Sequence, residues 1–377
     1  MSTAVVGVVG AGQLARMMQQ AAVGLDIHVR VLAATPHDSA AQVCPDVVVG
    51  PIAEELPAFA ATCDVVTFDH ELVDPDALAT AADAGHLLHP GPEALRFAQD
   101  KGYQRETFAQ AGLPLPAYAI VADVEEAAAF AARAGWPLVL KSPLGGYDGR
   151  GVEVVESQGA LERVWARLAP GPLLVEEHID LRAEFAVLVA RRPSGEAVTY
   201  PLVETVQEEG ILTRSRVPAA FPDDVVERAH EIGFAVAEVV GAVGILAVEL
   251  FFDGDRVLVN EVATRPHNSG HWTIEGAMTS QFANHLRGVL DWPLGDTRLT
   301  APAVATANVL GPHDGSDPRT RMADALAVRG VGIHLYGKEA RPGRKLGHVT
   351  ATGATAGESM TAARHCVAIL RGEPLDE

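Results

Sequence analysis

Trp136-Pro137-Leu138-Val139-Leu140-Lys141 is followed, after three residues, by Gly145-Gly146-Tyr147-Asp148-Gly149-Arg150-Gly151. An apolar run delivers a lysine into a glycine loop. That arrangement handles phosphate, because glycine lets backbone N–H groups approach phosphate oxygens with no Cβ in the way. The loop is not a Walker A motif, since no Gly-Lys-Ser/Thr follows. It also carries a Tyr, an Asp and an Arg of its own, so it is expected to touch a substrate as well as a nucleotide.

Upstream, strand and helix signals alternate. Val5-Val6-Gly7-Val8-Val9, Val29-Arg30-Val31-Leu32, Val47-Val48-Val49 and Val65-Val66-Thr67-Phe68 read as buried strands, and Gln13 to Val23 has helical spacing. Such alternation predicts a parallel α/β sheet, closed by Pro90-Gly91-Pro92. Further strands are expected around Pro116 to Val121, at Leu138 to Leu140, at Leu173 to Glu177 and from Glu184 to Arg191. Helices are expected over Glu125 to Ala134 and Val225 to Val240. Ala247 to Phe252 and Arg256 to Val262 form a hairpin across Asp253-Gly254-Asp255. Asp291 to Asp296 reads as a linker to a small mixed or β-rich C-terminal part.

The 377 residues suffice for two or three domains, and 48% apolar content supports a sizeable core. A net charge of −20 argues against a nucleic-acid or anionic-membrane surface. Cys44, Cys63 and Cys366 are far apart with no C-x-x-C spacing, which suits a reducing cytoplasm. The N-terminus lacks a basic n-region and a small-residue cleavage site, so no signal peptide is expected. Phe234 to Phe252 contains Glu238 and Glu249 and reads as a helix end followed by a buried strand, not a membrane span.

Gly10-Ala11-Gly12-Gln13-Leu14-Ala15 fits a dinucleotide fingerprint, but the second strand ends in Leu32-Ala33-Ala34 with no acid for a ribose. A nicotinamide cofactor is therefore disfavoured, although the helix start can still hold a phosphate. With a three-residue hairpin loop, Glu249 faces Val259, Glu261 lies diagonally on the same face about 7–8 Å away, and Asn260 points to the other. Two carboxylates on an apolar face call for a cation, and oxygen-only ligation suits magnesium on nucleotide phosphates.

Arg265-Pro266-His267-Asn268-Ser269-Gly270-His271-Trp272 follows. Pro266 and Gly270 oppose a helix, so a zinc pair of His267 and His271 is disfavoured; the segment reads as a polar substrate wall, or else as a conventional turn with exposed polar residues. Glu176-Glu177-His178-Ile179 ends a strand and can offer backbone groups to an adenine, or be a solvated acidic turn. Lys338, Arg344, Lys345 and His348 can neutralise a substrate phosphate, or form a charged surface loop.

In this order the motifs resemble the ATP-grasp superfamily, and within it the N5-carboxyaminoimidazole ribonucleotide synthetases. The resemblance runs over nearly the whole chain. Its most specific pieces are Gly146 to Gly151, Asn260-Glu261, His267 to Thr273 and Gly343-Arg344-Lys345-Leu346-Gly347-His348. It implies a Rossmann-like domain over 1–95, an ATP-grasp domain over 96–295 with a small subdomain at roughly 100–175, and a C-terminal domain over 296–377.

The resemblance implies that Lys101 and Lys141 contact ATP phosphates under the loop Gly146, Tyr147, Asp148, Gly149, Arg150 and Gly151. Glu176, Glu177, His178 and Ile179 would meet adenine, with Glu184 on the ribose and Gln207 and Asn260 completing the nucleotide site. Glu249 and Glu261 would hold two magnesium ions. Aminoimidazole ribonucleotide would lie among Tyr147, Asp148, Arg150, Arg265, His267 and Asn268. Its phosphate would meet Gln13, Leu14, Lys338, Arg344 and Lys345, with Glu71 near its ribose.

The implied reaction is carboxylation by bicarbonate at the expense of ATP, in purine biosynthesis. Lys141, Asp148 and His267 would be the catalytic residues, and Asp148 the first candidate base. The resemblance also implies a cytoplasmic homodimer passing its product to a separate mutase. Four positions depart from the common pattern: Lys101 for Arg, Gln207 for His, Asp69 for Glu, and Arg265-Pro266 for Pro-Arg. Alternatives are another ATP-grasp ligase, of the formate-dependent glycinamide ribonucleotide transformylase or biotin carboxylase kind, and a nucleotide-binding regulator without turnover.

Overall fold

The computed structural model describes residues 3–144, 151–168 and 171–374. The first unit contains β1 (Val5–Val9), α1 (Gln13–Val23), β2 (His28–Ala33), β3 (Asp46–Val49), α2 (Ile52–Ala60), β4 (Val65–Phe68) and α3 (Pro75–Asp83). Its strands form a parallel sheet in the order β3-β2-β1-β4. Val6 and Val8 pack with α1, whereas Val9, Val66 and Phe68 pack with α2 and α3. Both faces are covered, which is why these strands read as unbroken valine runs rather than alternating ones.

Helices α4 (Pro92–Gln99) and α5 (Lys101–Gln110) lead into a small antiparallel sheet. Its elements are β5 (Tyr118–Val121), α6 (Val124–Ala134), β6 (Leu138–Lys141), β7 (Val152–Val155), α7 (Gln158–Leu168) and β8 (Leu173–Glu177), and its strand order is β5-β8-β6-β7. Its helices cover one face through Phe130, Ala131 and Leu161.

The large sheet starts with β9 (Ala183–Arg191), β10 (Ala197–Thr199), β11 (Val203–Glu208) and β12 (Ile211–Val217). Helix α8 (Asp223–Val240) and the hairpin β13 (Gly244–Phe252) and β14 (Val257–Ala263) follow, then α9 (Thr273–Gly276) and α10 (Gln281–Val289). After the stretch at 291–296, which carries no helix or strand, come β15 (Ala303–Leu310), α11 (Met322–Ala325), β16 (Val331–Leu335), β17 (Lys345–Gly353) and α12 (Ala356–Arg371). The strand order is β14-β13-β9-β11-β12-β15-β17-β16, with β10 on β9. The β-rich C-terminal part is thus not a separate sheet: β12 pairs with β15, Val217 opposite Val304.

Strand β9 shows how the large sheet is buried. Phe185, Val187 and Val189 face α8, whereas Ala186, Leu188 and Ala190 pack around Trp272 and Val304 on the other side. This two-residue period gives each face its own core. Among the described residues no helix is long and apolar enough to cross a membrane.

The first unit is fastened to the large sheet by α10. Phe282, Leu286 and Val289 share a core with Leu14, Met17 and Met18 of α1. At the same junction the buried His285 accepts from the Ile245 N–H at Nδ1 (3.0 Å) and lies 2.7 Å from Thr67 Oγ1 through Nε2. Since Nδ1 accepts, the ring proton sits on Nε2 and points at Thr67. Replacing His285 by Ala leaves two buried groups unpaired, so we expect a loss of about 3 kcal/mol, and a smaller loss for Thr67→Val. Urea denaturation of the two variants checks that order.

Candidate active site

The site lies between the small sheet and the β13–β14 hairpin. Strand β6 ends at Lys141, and the glycine loop connects β6 to β7. Gly145, Gly146, Tyr147, Asp148, Gly149 and Arg150 lie outside the described residues. The base of the loop is clasped: the Ser142 N–H donates to Gly151 O at 3.0 Å, and Gly151 takes φ +76°, a conformation that suits glycine. On the near side the Lys101 N–H donates to Pro143 O at 2.8 Å, so the first residue of α5 is tied to the strand that carries Lys141.

The hairpin differs from the expected register, and the difference builds the site. Phe252 pairs with Val257 and Leu250 with Val259, but Glu249 pairs with Glu261, so Asn260 is an extra residue in a β-bulge. The core shows the same shift: Val257 and Val259 face α8, and so does Val262. Asn260 and Glu261 therefore both turn to the cleft. This corrects the expectation that Asn260 points away and that the two glutamates are diagonal.

Across the cleft, Lys141 Nζ lies 2.6 Å from Glu176 Oε2 and 3.2 Å from Asn260 Oδ1. Lys101 Nζ lies 3.4 Å from Glu261 Oε2. The other oxygen of Glu176 accepts from Arg105 Nε. Burial alone would push Glu176 up, but the Arg105 and Lys141 charges and their hydrogen bonds outweigh it and hold the carboxyl at about 2. Burial also lowers the Lys141 ammonium, with Glu176 opposing.

Strand β8 is interior to its sheet, flanked by β5 and β6 up to Glu176 and Glu177. Glu177 also accepts from the Ala117 N–H and pairs with Arg256. The strand therefore presents no open edge at Glu176 or Glu177, contrary to that expectation. The chain leaves the sheet at His178 and Ile179.

The floor of the cleft is acidic. Gln207 donates to Glu184 at 2.8 Å. Burial, then the charges of Glu261 and Glu184, push Glu249 up to about 8. Glu184 is also raised, by burial first and Glu261 after the opposing Gln207 bond. Three carboxylates thus repel one another, and the charges of Lys345 and Lys101 oppose the rise at Glu249. Among the described residues no group of three or more His, Cys, Asp or Glu forms a metal cage. Glu249 opposite Glu261 does fit a magnesium ion that takes its remaining oxygens from phosphates.

His267 Nε2 lies 3.6 Å from Glu249 Oε1, and its Nδ1 accepts from the Ser269 N–H and lies 2.9 Å from Ser269 Oγ. Burial, then the charges of Arg265 and Lys345, hold His267 at about 3, so it is neutral with its proton on Nε2. The main chain of His267 is pinned by Gln281, which accepts at 2.9 Å and donates at 2.8 Å. Asn268 Nδ2 is buried with no partner among the described residues. A short 3-10 turn at Asn268–Gly270 and α9 follow, and His271 stacks on His348, which stacks on His334. These three rings lie face to face.

Arg265 Nε donates to Glu71 at 2.7 Å. Lys338 Nζ donates to Gln13 Oε1 at 2.6 Å, which brings the C-terminal part to the α1 start. Asp69 accepts from the Gly12 N–H (3.0 Å) and the Ala15 N–H (2.7 Å). A carboxylate thus occupies part of that helix terminus and leaves Gln13 and Leu14 for a ligand. Lys345 lies near enough to shift Glu249 and His267, whereas Arg344 is exposed and donates to Glu339 O. The late basic residues are therefore spread along the site rather than clustered. Sequence reasoning missed Arg105 and Gln281. Each acts on a partner more than ten residues away, and neither stands in a motif.

Residues 106–282 match the ATP-grasp domain family, residues 1–99 the ribonucleotide synthetase preATP-grasp domain, and residues 305–361 the phosphoribosylaminoimidazole carboxylase C-terminal domain. An N5-carboxyaminoimidazole ribonucleotide synthase from Mycobacterium tuberculosis is 47% identical over 364 residues, which cover 92% of this chain and 83% of the relative. The enzyme of that name from Corynebacterium ammoniagenes is 42% identical, covering 93% of this chain and 87% of the relative. Among solved structures, N5-carboxyaminoimidazole synthase from Aspergillus clavatus, in complex with ADP and 5-aminoimidazole ribonucleotide, superposes with a TM-score of 0.89 at 33% identity over 98% of both chains. The synthetase from Thermus thermophilus gives 0.88 at 35% identity, covering 99% of this chain and 100% of that one.

The raised Glu249 has a consequence for stability. The folded, metal-free protein keeps a proton up to about pH 8 that the unfolded chain releases near 4.5. Stability is therefore lost as pH rises through that interval. Glu249→Gln removes this dependence, and at pH 8 it is expected to stabilise the metal-free protein by on the order of 2 kcal/mol. Denaturation at pH 5 and pH 8 in a chelator checks the sign.

Proposed function

This chain belongs to the N5-carboxyaminoimidazole ribonucleotide synthase family of ATP-grasp enzymes, and from that premise we propose that the small antiparallel sheet and the large sheet divide the reaction between them. The chain is an ATP-dependent carbon–nitrogen ligase. ATP, bicarbonate and aminoimidazole ribonucleotide give ADP, phosphate and the N5-carboxylated product, through carboxyphosphate. The observation that carries this reading is the cleft itself, where Lys101 reaches Glu261, Lys141 reaches the neighbouring Asn260, and Glu261 stands opposite Glu249.

Bicarbonate is a poor electrophile and an anion, and it must approach a polyanion. Lys101 and Lys141 would offset that repulsion at the phosphates, under Gly146, Gly149 and Gly151. Magnesium, held by Glu249 and Glu261 on the phosphate oxygens, would supply further charge neutralisation. His178 and Ile179 would take the adenine, below Glu176 and Glu177, while Glu184 with Gln207 would take the nucleotide ribose. Asn260 would complete the nucleotide site by orienting Lys141.

Aminoimidazole ribonucleotide would bind with its phosphate at Gln13, Leu14 and Lys338, assisted by Lys345 and, from the rim, Arg344. Glu71, held by Arg265, would reach its ribose. His267 and Asn268 would form one wall of the base, and Tyr147, Asp148 and Arg150 the other. The exocyclic amine attacks the activated carboxyl carbon and must then lose a proton. Asp148 is the proposed acceptor. His267 is second, because its Nδ1 is engaged by Ser269 and its Nε2 carries a proton. We further infer a cytoplasmic homodimer whose product passes to a separate mutase.

The test is ADP release with labelled bicarbonate, with and without aminoimidazole ribonucleotide. Label entering an acid-labile product only when the aminoimidazole is present is expected. Turnover with formate and glycinamide ribonucleotide instead would point to the other ligase class, and no turnover at all to a regulator. Asp148→Asn is expected to keep ATP binding and to lose product formation by on the order of 100-fold.

A further inference from the structure

We propose that Arg105 is a positioning residue for the nucleotide: it holds Glu176 as a fixed partner, so that Lys141 is able to leave Glu176 for the phosphates of ATP. This rests on the reading above that Lys141 binds those phosphates.

The Glu176 carboxylate is buried with both oxygens engaged, one by Arg105 Nε and the other by Lys141 Nζ. Both cations are buried, Arg105 at 1% and Lys141 at 7% exposure, but they are held from opposite sides. Arg105 Nη1 donates to Gln104 Oε1 at 2.8 Å. Gln104 in turn donates to Phe97 O at 2.8 Å, so the guanidinium is fixed from behind by the α4–α5 core. Lys141 stands at the mouth of the glycine loop, and its other partner is Asn260 across the cleft.

A simple Glu176–Lys141 pair would oppose ATP binding. Drawing the lysine to a phosphate would strand a buried carboxylate, which is strongly unfavourable. With Arg105 present, the carboxylate stays paired after the lysine has moved. The three side chains carry one surplus positive charge, and Lys141, the member on the cleft side, presents it there. Arginine suits the anchored place because its planar fork bonds two partners in two directions at once, Glu176 through Nε and Gln104 through Nη1. Its position follows from helical spacing: Arg105 lies four residues after Lys101 on α5, so both reach the same side.

The test is a double-mutant cycle on the full chain, read as equilibrium binding of the β,γ-imido analogue of ATP with magnesium. Arg105→Gln is expected to weaken binding about tenfold or more, and Arg105→Lys to weaken it less. Removing Arg105 in the Glu176→Gln background is expected to change binding less than about twofold, because Arg105 acts only through Glu176. Equal losses in both backgrounds would overturn the proposal, as they would mark a direct contact or a general effect on folding. So would an Arg105→Gln protein that melts earlier yet binds the analogue normally. If Arg105→Gln alone gives no folded protein, E176Q and R105Q/E176Q decide: equal affinities support the proposal and a further drop overturns it. Lys141→Gln separates the two ideas. Normal binding there removes the premise, whereas weak binding there with normal binding by Arg105→Gln removes this proposal alone.

Discussion

One extra residue in β14 arranges the cleft. Without the bulge at Asn260, a period of two would send either Asn260 or Glu261 into the core with Val257 and Val259. With it, both turn to the same side and Glu261 comes opposite Glu249. Two carboxylates in direct register repel, and Glu249 is largely buried besides. The sheet tolerates this because β13 is hydrogen-bonded along its full length to β9, with apolar cores on both faces. The fold thus holds an arrangement that the side chains alone would not adopt, and a cation bound between them would relieve it.

The charges around that pair are arranged by distance rather than by number. Lys101 and Lys141 come from the small-sheet side, Lys345 from the C-terminal strand, and Arg265 is committed to Glu71. His267 adds no charge, since burial keeps it neutral. A chain with a net charge of −20 can therefore still gather cations in this cleft. Overall charge describes the outer surface, and the cleft is governed by a handful of short contacts.

The parts of this structure that are local could be read from the residues. The valine runs of β1 to β4 declare a sheet covered on both faces, and Asp253-Gly254 declares a hairpin. The helix over Gln13–Val23 agrees with its spacing to the residue. The parts that depend on distant partners could not. A bulge leaves no mark in an alternating pattern that also holds polar site residues, so the pattern puts Asn260 on the wrong face. Arg105 looks like an ordinary helix-surface residue until Glu176, 71 positions later, closes over it. Likewise the pairing of β12 with β15 joins two regions that composition separates at the 291–296 stretch. Asp69 is a fourth case: only the fold brings its carboxylate to the start of α1.

The joint between β12 and β15 bears on how the enzyme breathes. The large sheet runs without interruption from the carboxylate hairpin to the strand bearing Lys345, and α10 welds the first unit onto it. Every wall that would grip the ribonucleotide phosphate thus belongs to one stiff block. The small sheet meets that block through its own α4–α5 root and a few polar links across the cleft. Any motion of the small sheet against the block would have to work across those links. On the proposed reading, the phosphate end of the ribonucleotide would dock on an anvil that is already assembled, whereas its base and the nucleotide would both wait for the hammer.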